Sequence, residues 1–332
     1  MFLPSYRRSL HRREWPIKLG AVSAHSSPRF AATDLGAEGE GQSAFITAQD
    51  GLRLHVREYS ARNASATPVV CLPGLTRTTA DFDALAPVLA YGEPGRRVIA
   101  IDSRGRGQSQ YDPNPQNYNL AVELADVVAI LTALGISRAM FVGSSRGGIL
   151  TMLLATAQPT AIAGTVLHDI GPIIEPEGLA RIKSYVGKMP QPGSFAEGAE
   201  ILRGLFEPYF PKLTAEQWLT AGKRAWKLEN GALVPTYDAQ VSQTLAEFDG
   251  EHSPPPLWNE FDALAGVPVL VIRGVKSDIL SAETVNAMCA RHPDLEIIEV
   301  ADQGHVPILE GHELLGRIAG FVRKCDGVRK PT

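Results

Sequence analysis

The sequence predicts an α/β fold, a mostly parallel sheet with helices on both faces. Short continuous apolar runs of strand length are typical of strands buried on both sides. Helical stretches separate them, most clearly 121–134 and 282–291. Strands that alternate with helices indicate parallel crossover units. The runs, in chain order, lie at 68–72, 97–101, 139–142, 164–167, 267–272 and 295–300.

The first predicted element is a β-hairpin. The segments Phe45–Thr47 and Leu52–Glu58 flank Gln49-Asp50-Gly51, and Asp-Gly between two strand-like segments is a strong turn signal. We therefore expect the folded part to begin near Phe45.

The chain divides into three parts on composition and spacing. The gap between the strand runs ending near 167 and starting at 267 is too long for an ordinary connection, and helix-like segments fill it. We therefore expect a helical cap over 171–260, a core made of 44–170 and 261–325, and an N-terminal extension over 1–43.

Composition excludes several classes of protein. The chain has 332 residues, 44% of them hydrophobic, which is enough to build a sizeable core. No apolar run approaches the ~20 residues that span a bilayer. A net charge of −4 argues against nucleic acid as the main partner. The 3 cysteines form no disulfide framework, so we expect a reducing, cytoplasmic setting.

The first 29 residues are unusually basic, with five arginines and one lysine against Glu14. A basic, serine-containing leader is typical of organellar transit peptides. The alternative is a poorly ordered extension or an upstream start codon, which we favour because such compositional signals are weak.

The strongest chemical motif is Gly143-Ser144-Ser145-Arg146-Gly147, between a predicted strand and the apolar helix 149–157. A strand that turns at once into a helix crowds its backbone, so small residues are needed two positions either side of the apex. Ser145 is the expected nucleophile. The side chain of the rival, Ser144, would point away from the apex.

A serine hydroxyl needs a base to accept its proton. His305 fits best, because it follows the last strand in Asp302-Gln303-Gly304-His305, where Gly304 would let the backbone turn the imidazole inward. His168 also ends a strand, but a hydrogen-bonded core histidine is the better interpretation. His312 is expected on a solvated helix.

The acid that orients the histidine should follow a late strand. Asp278 does so after Arg273-Gly274 and gives the chain order serine, acid, histidine. Asp169 also ends a strand after the nucleophile. We favour Asp278 for its strand–glycine–loop setting.

The oxyanion of an acyl-transfer intermediate needs backbone donors. We expect the N–H of Arg146, directly after the nucleophile, and the N–H of Leu75 in Pro73-Gly74-Leu75, where Gly74 permits a close approach. An ordinary turn is the alternative interpretation of Pro73-Gly74.

These motifs, with Asp102-Ser103-Arg104-Gly105-Arg106-Gly107-Gln108-Ser109, resemble the α/β-hydrolase family from about Phe45 to Val322. The resemblance is closest to small esterases, enol-lactonases and carbon–carbon hydrolases of ring-cleavage products. It implies an eight-stranded sheet, a cap between strands six and seven, and hydrolysis through an acyl-enzyme without cofactor or metal. The 102–109 stretch is a marker of the family that we interpret as a hydrogen-bonded turn.

Two positions depart from relatives in the family. Pro73 stands where many members have histidine, which bears on the second oxyanion donor. Ser145 stands where dehalogenases and epoxide hydrolases carry aspartate, so their chemistry is not expected.

The cap holds three of the four tryptophans. Thr214-Ala215-Glu216-Gln217 is a capping box that opens a predicted helix carrying Trp218 and Trp226 on one face. We interpret this pair as cap core rather than pocket wall. Arg77 and Arg146 could hold a substrate carboxylate, although structural contacts are expected for Arg146.

Three functions fit this sequence. The first is a serine hydrolase of small carboxylic esters or lactones, which we favour. The second is a carbon–carbon hydrolase that uses the same triad, and the third is a non-catalytic small-molecule receptor. Attachment of the basic leader to membrane or RNA is a weaker idea, and the sequence indicates no oligomeric state.

Overall fold

The computed structural model describes residues 41–249 and 252–327. The basic leader and both interpretations of it lie outside these residues. Within the described ranges, no helix combines the length and hydrophobicity that a bilayer crossing requires.

An eight-stranded sheet organises the fold, in the spatial order β1-β2-β4-β3-β5-β6-β9-β10. The hairpin β1–β2 and the β2–β4 pair are antiparallel, and every other pair is parallel. The prediction of a mostly parallel sheet opened by a hairpin is therefore confirmed. The strands are β1 Gln42–Thr47, β2 Arg53–Ser60, β3 Val69–Leu72, β4 Arg97–Ile101, β5 Ala139–Ser144, β6 Ile162–His168, β9 Val269–Gly274 and β10 Glu296–Val300.

Helices cover both faces of the sheet, and adjacent residues of each central strand face opposite cores. In β3, Val70 packs into the core beneath one set of helices while Val69 and Cys71 pack into the other. All four residues of β3 are buried, which explains its continuous apolar run. The core helices are α1 Leu85–Tyr91, α2 Leu120–Ala133, α3 Arg146–Ala157, α7 Trp258–Asp262, α8 Ala282–Arg291 and α9 His312–Asp326.

Between β6 and β9 the chain leaves the sheet, and we call residues 171–260 the cap segment, after the predicted division. Before α7 begins at Trp258, its described residues form three helices, a two-stranded hairpin and a 3₁₀ helix: α4 Pro176–Tyr185, α5 Phe195–Phe206, α6 Ala215–Ala225, β7 Trp226–Glu229, β8 Ala232–Pro235 and 239–245.

The hairpin corrects the prediction for Trp226. The predicted capping box is present, with Thr214 and Gln217 bonded reciprocally, but α6 ends at Ala225 and Trp226 begins β7. The β7–β8 hairpin forms because of the Asn230-Gly231 turn, whose residues have φ of 50° and 81°. Two positive φ angles suit a tight hairpin turn and the Asn-Gly dipeptide.

Candidate active site

Ser145 occupies a sharp turn between β5 and α3. Its φ is 50° and its ψ is −115°, a strained conformation for a residue with a side chain. A Cβ on Gly143 would lie 2.6 Å from the nitrogen of Gly148, and one on Gly147 would collide with the carbonyl of Leu72. The neighbouring glycines are therefore required by steric crowding, as the motif predicts.

His305 reaches Ser145 from the loop after β10. The Ser145 Oγ and His305 Nε2 atoms are 2.8 Å apart. Glycine is needed at position 304 for a different reason from the one predicted. Gly304 is not among the glycines with positive φ, so backbone freedom does not explain it. A Cβ there would lie only 2.8 Å from the Cβ of Tyr209, so the glycine makes room for the cap segment.

Asp169, and not the predicted Asp278, contacts the histidine. The Nδ1 atom of His305 lies 2.8 Å from Asp169 Oδ2, and Asp169 is fully buried. The carboxylate accepts two further hydrogen bonds, from Gly274 N to Oδ1 at 2.7 Å and from the Ser277 hydroxyl to Oδ2 at 2.5 Å. The loop expected to supply the acid instead supplies the hydrogen bonds that hold it.

Asp278 is turned toward the cap segment. Its carboxylate accepts two hydrogen bonds from the Arg181 guanidinium, at 2.5 and 2.7 Å. Sheet order gives the reason for the correction, since β6 is the immediate neighbour of β5 and β9 lies one strand further away. The residue after β6 therefore starts closer to the serine that follows β5.

The rival serine and the second histidine bond to each other. Ser144 Oγ lies 2.9 Å from His168 Nδ1, and both residues are buried. Burial lowers the pKa of His168 to about 4, so the imidazole is neutral near pH 7. His168 is therefore a core histidine, and its carbonyl accepts a hydrogen bond from the N–H of Ser145.

The two predicted oxyanion donors lie beside Ser145. Arg146 is the first residue of α3, and N–H groups in the first turn of a helix have no acceptor within that helix. Leu75 lines the same cavity as Ser145 and His305. A Cβ on Gly74 would lie 3.6 Å from the Cβ of Ser145, so this loop passes close to the serine. Donation to an oxyanion remains a prediction.

A buried charge cluster lies behind these donors. Glu123 of α2 accepts hydrogen bonds from Arg146 Nε at 2.6 Å and from Arg106 Nη1 at 2.9 Å. Arg106 Nε donates to the carbonyl oxygen of Leu75 at 2.8 Å. Burial acts to raise the pKa of Glu123, but the two arginines outweigh it and lower the pKa. Sequence analysis missed Glu123, although a charged residue amid the apolar positions of α2 was a visible signal.

The 102–109 stretch forms a hydrogen-bonded turn, as expected. Asp102 accepts hydrogen bonds from the N–H groups of Thr79 at 2.7 Å and Gln108 at 3.0 Å, and it contacts His55 Nδ1 at 2.7 Å. Because Thr79 belongs to the segment that follows Leu75, this buried aspartate anchors the loop beside the serine.

A cavity of about 180 Å³ opens above Ser145 and His305. Its floor comes from the core, and most of its walls come from the cap segment. Trp218 and Trp226 belong both to the cap's own buried cluster and to the cavity wall. The prediction that the pair is cap core is therefore confirmed, but its exclusion from the pocket wall is not, because both rings also line the cavity.

The fold and this serine–histidine–aspartate arrangement define a class of protein. The sequence profile of the alpha/beta hydrolase family matches residues 69–317, and the chain belongs to that family.

The chain is similar to proteins named as hydrolases and to one named as a synthase. The chain is 33% identical to a 3-hydroxybutyrate-oligomer hydrolase of Cupriavidus necator, over 76% of this chain and 88% of the relative. It is 27% identical to a putative 2-succinyl-6-hydroxy-2,4-cyclohexadiene-1-carboxylate synthase of Bacillus subtilis, over 82% and 95%. A crystal structure of an alpha/beta hydrolase from Novosphingobium aromaticivorans matches with a TM-score of 0.79 and 39% identity, covering 86% of this chain and 99% of that one.

Proposed function

We propose that this protein is a serine hydrolase of small carboxylic esters or lactones. Ser145 is the nucleophile, His305 the general base and Asp169 the orienting acid. The observation that carries the proposal is the continuous path from Ser145 Oγ through the His305 ring to Asp169, with both distances at 2.8 Å.

The path supports a two-step mechanism. His305 Nε2 takes the hydroxyl proton of Ser145 as the oxygen attacks the substrate carbonyl. The alcohol leaves with that proton and the acyl group stays on the serine. Water, deprotonated by the same histidine, then releases the acid. Asp169 holds the imidazole with Nδ1 protonated and stabilises its charged form.

The oxyanion of each tetrahedral intermediate is assigned to the N–H groups of Leu75 and Arg146. Removing one such donor typically costs about 2.7–4 kcal/mol of barrier. The buried contacts of Glu123 and Arg106 support this assignment, because they link Arg146, directly after Ser145, to the loop that carries Leu75.

The cavity supports a short substrate. Its volume of about 180 Å³ is below the ~300–1,000 Å³ of typical sites for drug-sized ligands. Apolar residues dominate its walls, as acyl or alkyl groups require. The named activity of the Cupriavidus relative supports esters of short hydroxy acids, with 3-hydroxybutyrate oligomers as the first candidates.

We also infer a reducing compartment, such as the cytoplasm. Cys71, Cys289 and Cys325 are all unpaired thiols. Burial raises the pKa of Cys71 and raises that of Cys325 to about 12, so neither thiol is poised for disulfide exchange.

A substrate panel tests the proposal against its alternatives. We expect turnover of 3-hydroxybutyrate dimers, 4-nitrophenyl butanoate or δ-valerolactone, and labelling of Ser145 by a fluorophosphonate. Ser145→Ala should abolish both. The matched control is Ser144→Ala, which should keep them because Ser144 faces His168. Turnover confined to ring-fission diketones would favour the carbon–carbon hydrolase, and no turnover with saturable ligand binding would favour the receptor.

A further inference from the structure

The polar side of the cavity contains two groups that the proposed triad does not use. Arg77 follows Leu75 in the loop after β3, and Tyr185 is the last residue of α4 in the cap segment. Both line the cavity together with Ser145 and His305. Arg77 comes from the core and Tyr185 from the cap segment, so the two residues line the cavity from different parts of the fold.

Arg77 is held in place but has hydrogen-bonding capacity left. Its Nε and Nη2 atoms each donate to Asp81 at 2.7 Å. A guanidinium has five N–H donors, and no described residue accepts a hydrogen bond from Nη1. The side chain is 33% exposed. The remaining donors can therefore meet a ligand without disturbing the pair with Asp81.

Arg77 also lies close to the nucleophile. Its Cγ atom is 3.3 Å from the position that a Cβ on Gly74 would take, and that position is 3.6 Å from the Cβ of Ser145. A group bound by the guanidinium is thus within a short substrate's length of the reacting carbonyl.

Tyr185 contributes a second donor. Its ring packs edge-on against Phe206, with centroids 5.3 Å apart, and this contact restrains the ring. Among the described residues the hydroxyl has no hydrogen-bond partner. Burial raises the pKa of Tyr185, while the positive charges of Arg181 and Arg77 act in the opposite direction.

The other nearby arginines, Arg146 and Arg181, are not among the residues that line the cavity. Arg146 is paired with Glu123, and Arg181 is paired with Asp278. Arg77 does line the cavity, and its guanidinium keeps N–H donors beyond the two that bind Asp81. We propose that Arg77 and Tyr185 form a subsite for a free carboxylate carried by the ester substrate.

This subsite defines the substrate class as short esters bearing one carboxylate, either on the acyl part or on the alcohol part. The inference rests on the proposed function, because Ser145 must cleave the ester that the subsite orients.

Two matched substrate pairs test the proposal. On the acyl side, 4-nitrophenyl hydrogen adipate is compared with 4-nitrophenyl hexanoate. On the alcohol side, 4-acetoxybenzoate is compared with 4-acetoxybenzamide. We expect the anionic member of at least one pair to have a kcat/KM at least about tenfold higher, as a charge-assisted hydrogen bond provides.

The variants assign that preference to the two residues. Arg77→Gln should lower kcat/KM for the anionic ester by about tenfold or more, mainly through KM, and leave the neutral ester within about twofold. Tyr185→Phe should do the same to a smaller extent. Arg77→Gln combined with Asp81→Asn removes both charges and guards against misfolding from an unpaired carboxylate. Arg57→Gln is the matched control, since Arg57 pairs with Asp83 outside the cavity.

The outcomes separate the subsite from the hydrolase. Ester turnover without any preference for the anion, or a preference that Arg57→Gln removes equally, overturns the subsite and leaves the hydrolase standing. If no ester is turned over, calorimetry on Ser145→Ala protein decides. Binding of monomethyl adipate but not dimethyl adipate, lost on adding Arg77→Gln, supports the subsite, and equal binding of both overturns it.

Discussion

Arg181 of the cap segment and Asp278 of the core form a two-pronged ion pair, with hydrogen bonds of 2.5 and 2.7 Å. The guanidinium also lies over the ring of Tyr209, 4.5 Å from its centroid. Tyr209 in turn packs on Gly304, the residue before His305. Asp278 thus holds the cap segment on the core, and Asp169 is left to contact the histidine.

Exchanging each acid for its amide should separate these two roles. Asp169→Asn is expected to lower kcat by about 10⁴, as loss of the orienting acid does in a serine triad. Asp278→Asn should lower the free energy of unfolding while kcat stays within about threefold. Steady-state hydrolysis of a 4-nitrophenyl ester and urea unfolding measure both effects. A large fall in kcat for Asp278→Asn, with Asp169→Asn active, would reverse the assignment.

Glu123→Gln should damage stability and catalysis together. The substitution leaves two buried guanidinium groups without their anion, which typically costs roughly 3–5 kcal/mol. It also releases Arg106 and Arg146, so kcat should fall even well below the melting temperature, with little change in KM.

Glu58→Gln is the matched control for Glu123→Gln. Glu58 pairs with Arg97 in a half-exposed ion pair, for which we expect a cost under about 1 kcal/mol and unchanged kcat. Normal kcat in folded Glu123→Gln protein would show that the cluster does not support the oxyanion donors.

Gly304→Ala tests the contact between the cap segment and the histidine loop. The added methyl would lie 2.8 Å from the Cβ of Tyr209, so one backbone must move and carry His305 away from Ser145. We expect kcat to fall by more than about tenfold, since catalytic geometry tolerates little displacement. Tyr209→Gly removes the opposing atom and should restore part of the loss in the double variant. Simple additivity of the two substitutions would argue against the contact.

His168 should make stability fall on acidification. Its pKa is lowered to about 4, whereas an unfolded histidine titrates near 6.5. Between these values the unfolded chain binds more protons, so the free energy of unfolding rises with pH across that window. At pH 5 the deficit relative to neutral pH is about 2 kcal/mol from this residue.

Urea unfolding at pH 5 and pH 8 measures the contribution of His168. His168→Gln removes the titrating ring and should shrink the difference between the two pH values by that amount. An unchanged difference would place the acid sensitivity elsewhere.

Much of the fold and part of the site follow from local patterns. Continuous apolar runs predict strands with two buried faces, as in β3. The glycines around Ser145 predict a strand that turns directly into a helix. These signals are readable because crowding and burial act over a few neighbouring residues.

Two predictions, for Trp226 and for Asp278, were wrong because the outcome depends on segments far apart in the chain. Trp226 shares helical spacing with Trp218, but the Asn230-Gly231 turn draws it into a hairpin with 232–235. Asp278 and Asp169 have similar sequence settings, and only the order of β5, β6 and β9 decides which carboxylate meets His305.

The sequence by itself determined the architecture, the serine at the turn between β5 and α3, and the histidine that follows the last strand, since each is dictated by steric and hydrophobic constraints within a short segment. Only the tertiary structure decided the partner of that histidine, the buried arginine–glutamate cluster and the contact between Tyr209 and Gly304. Those are pairings between residues far apart in the chain, and their energies depend on distance and burial that exist only once the sheet has formed.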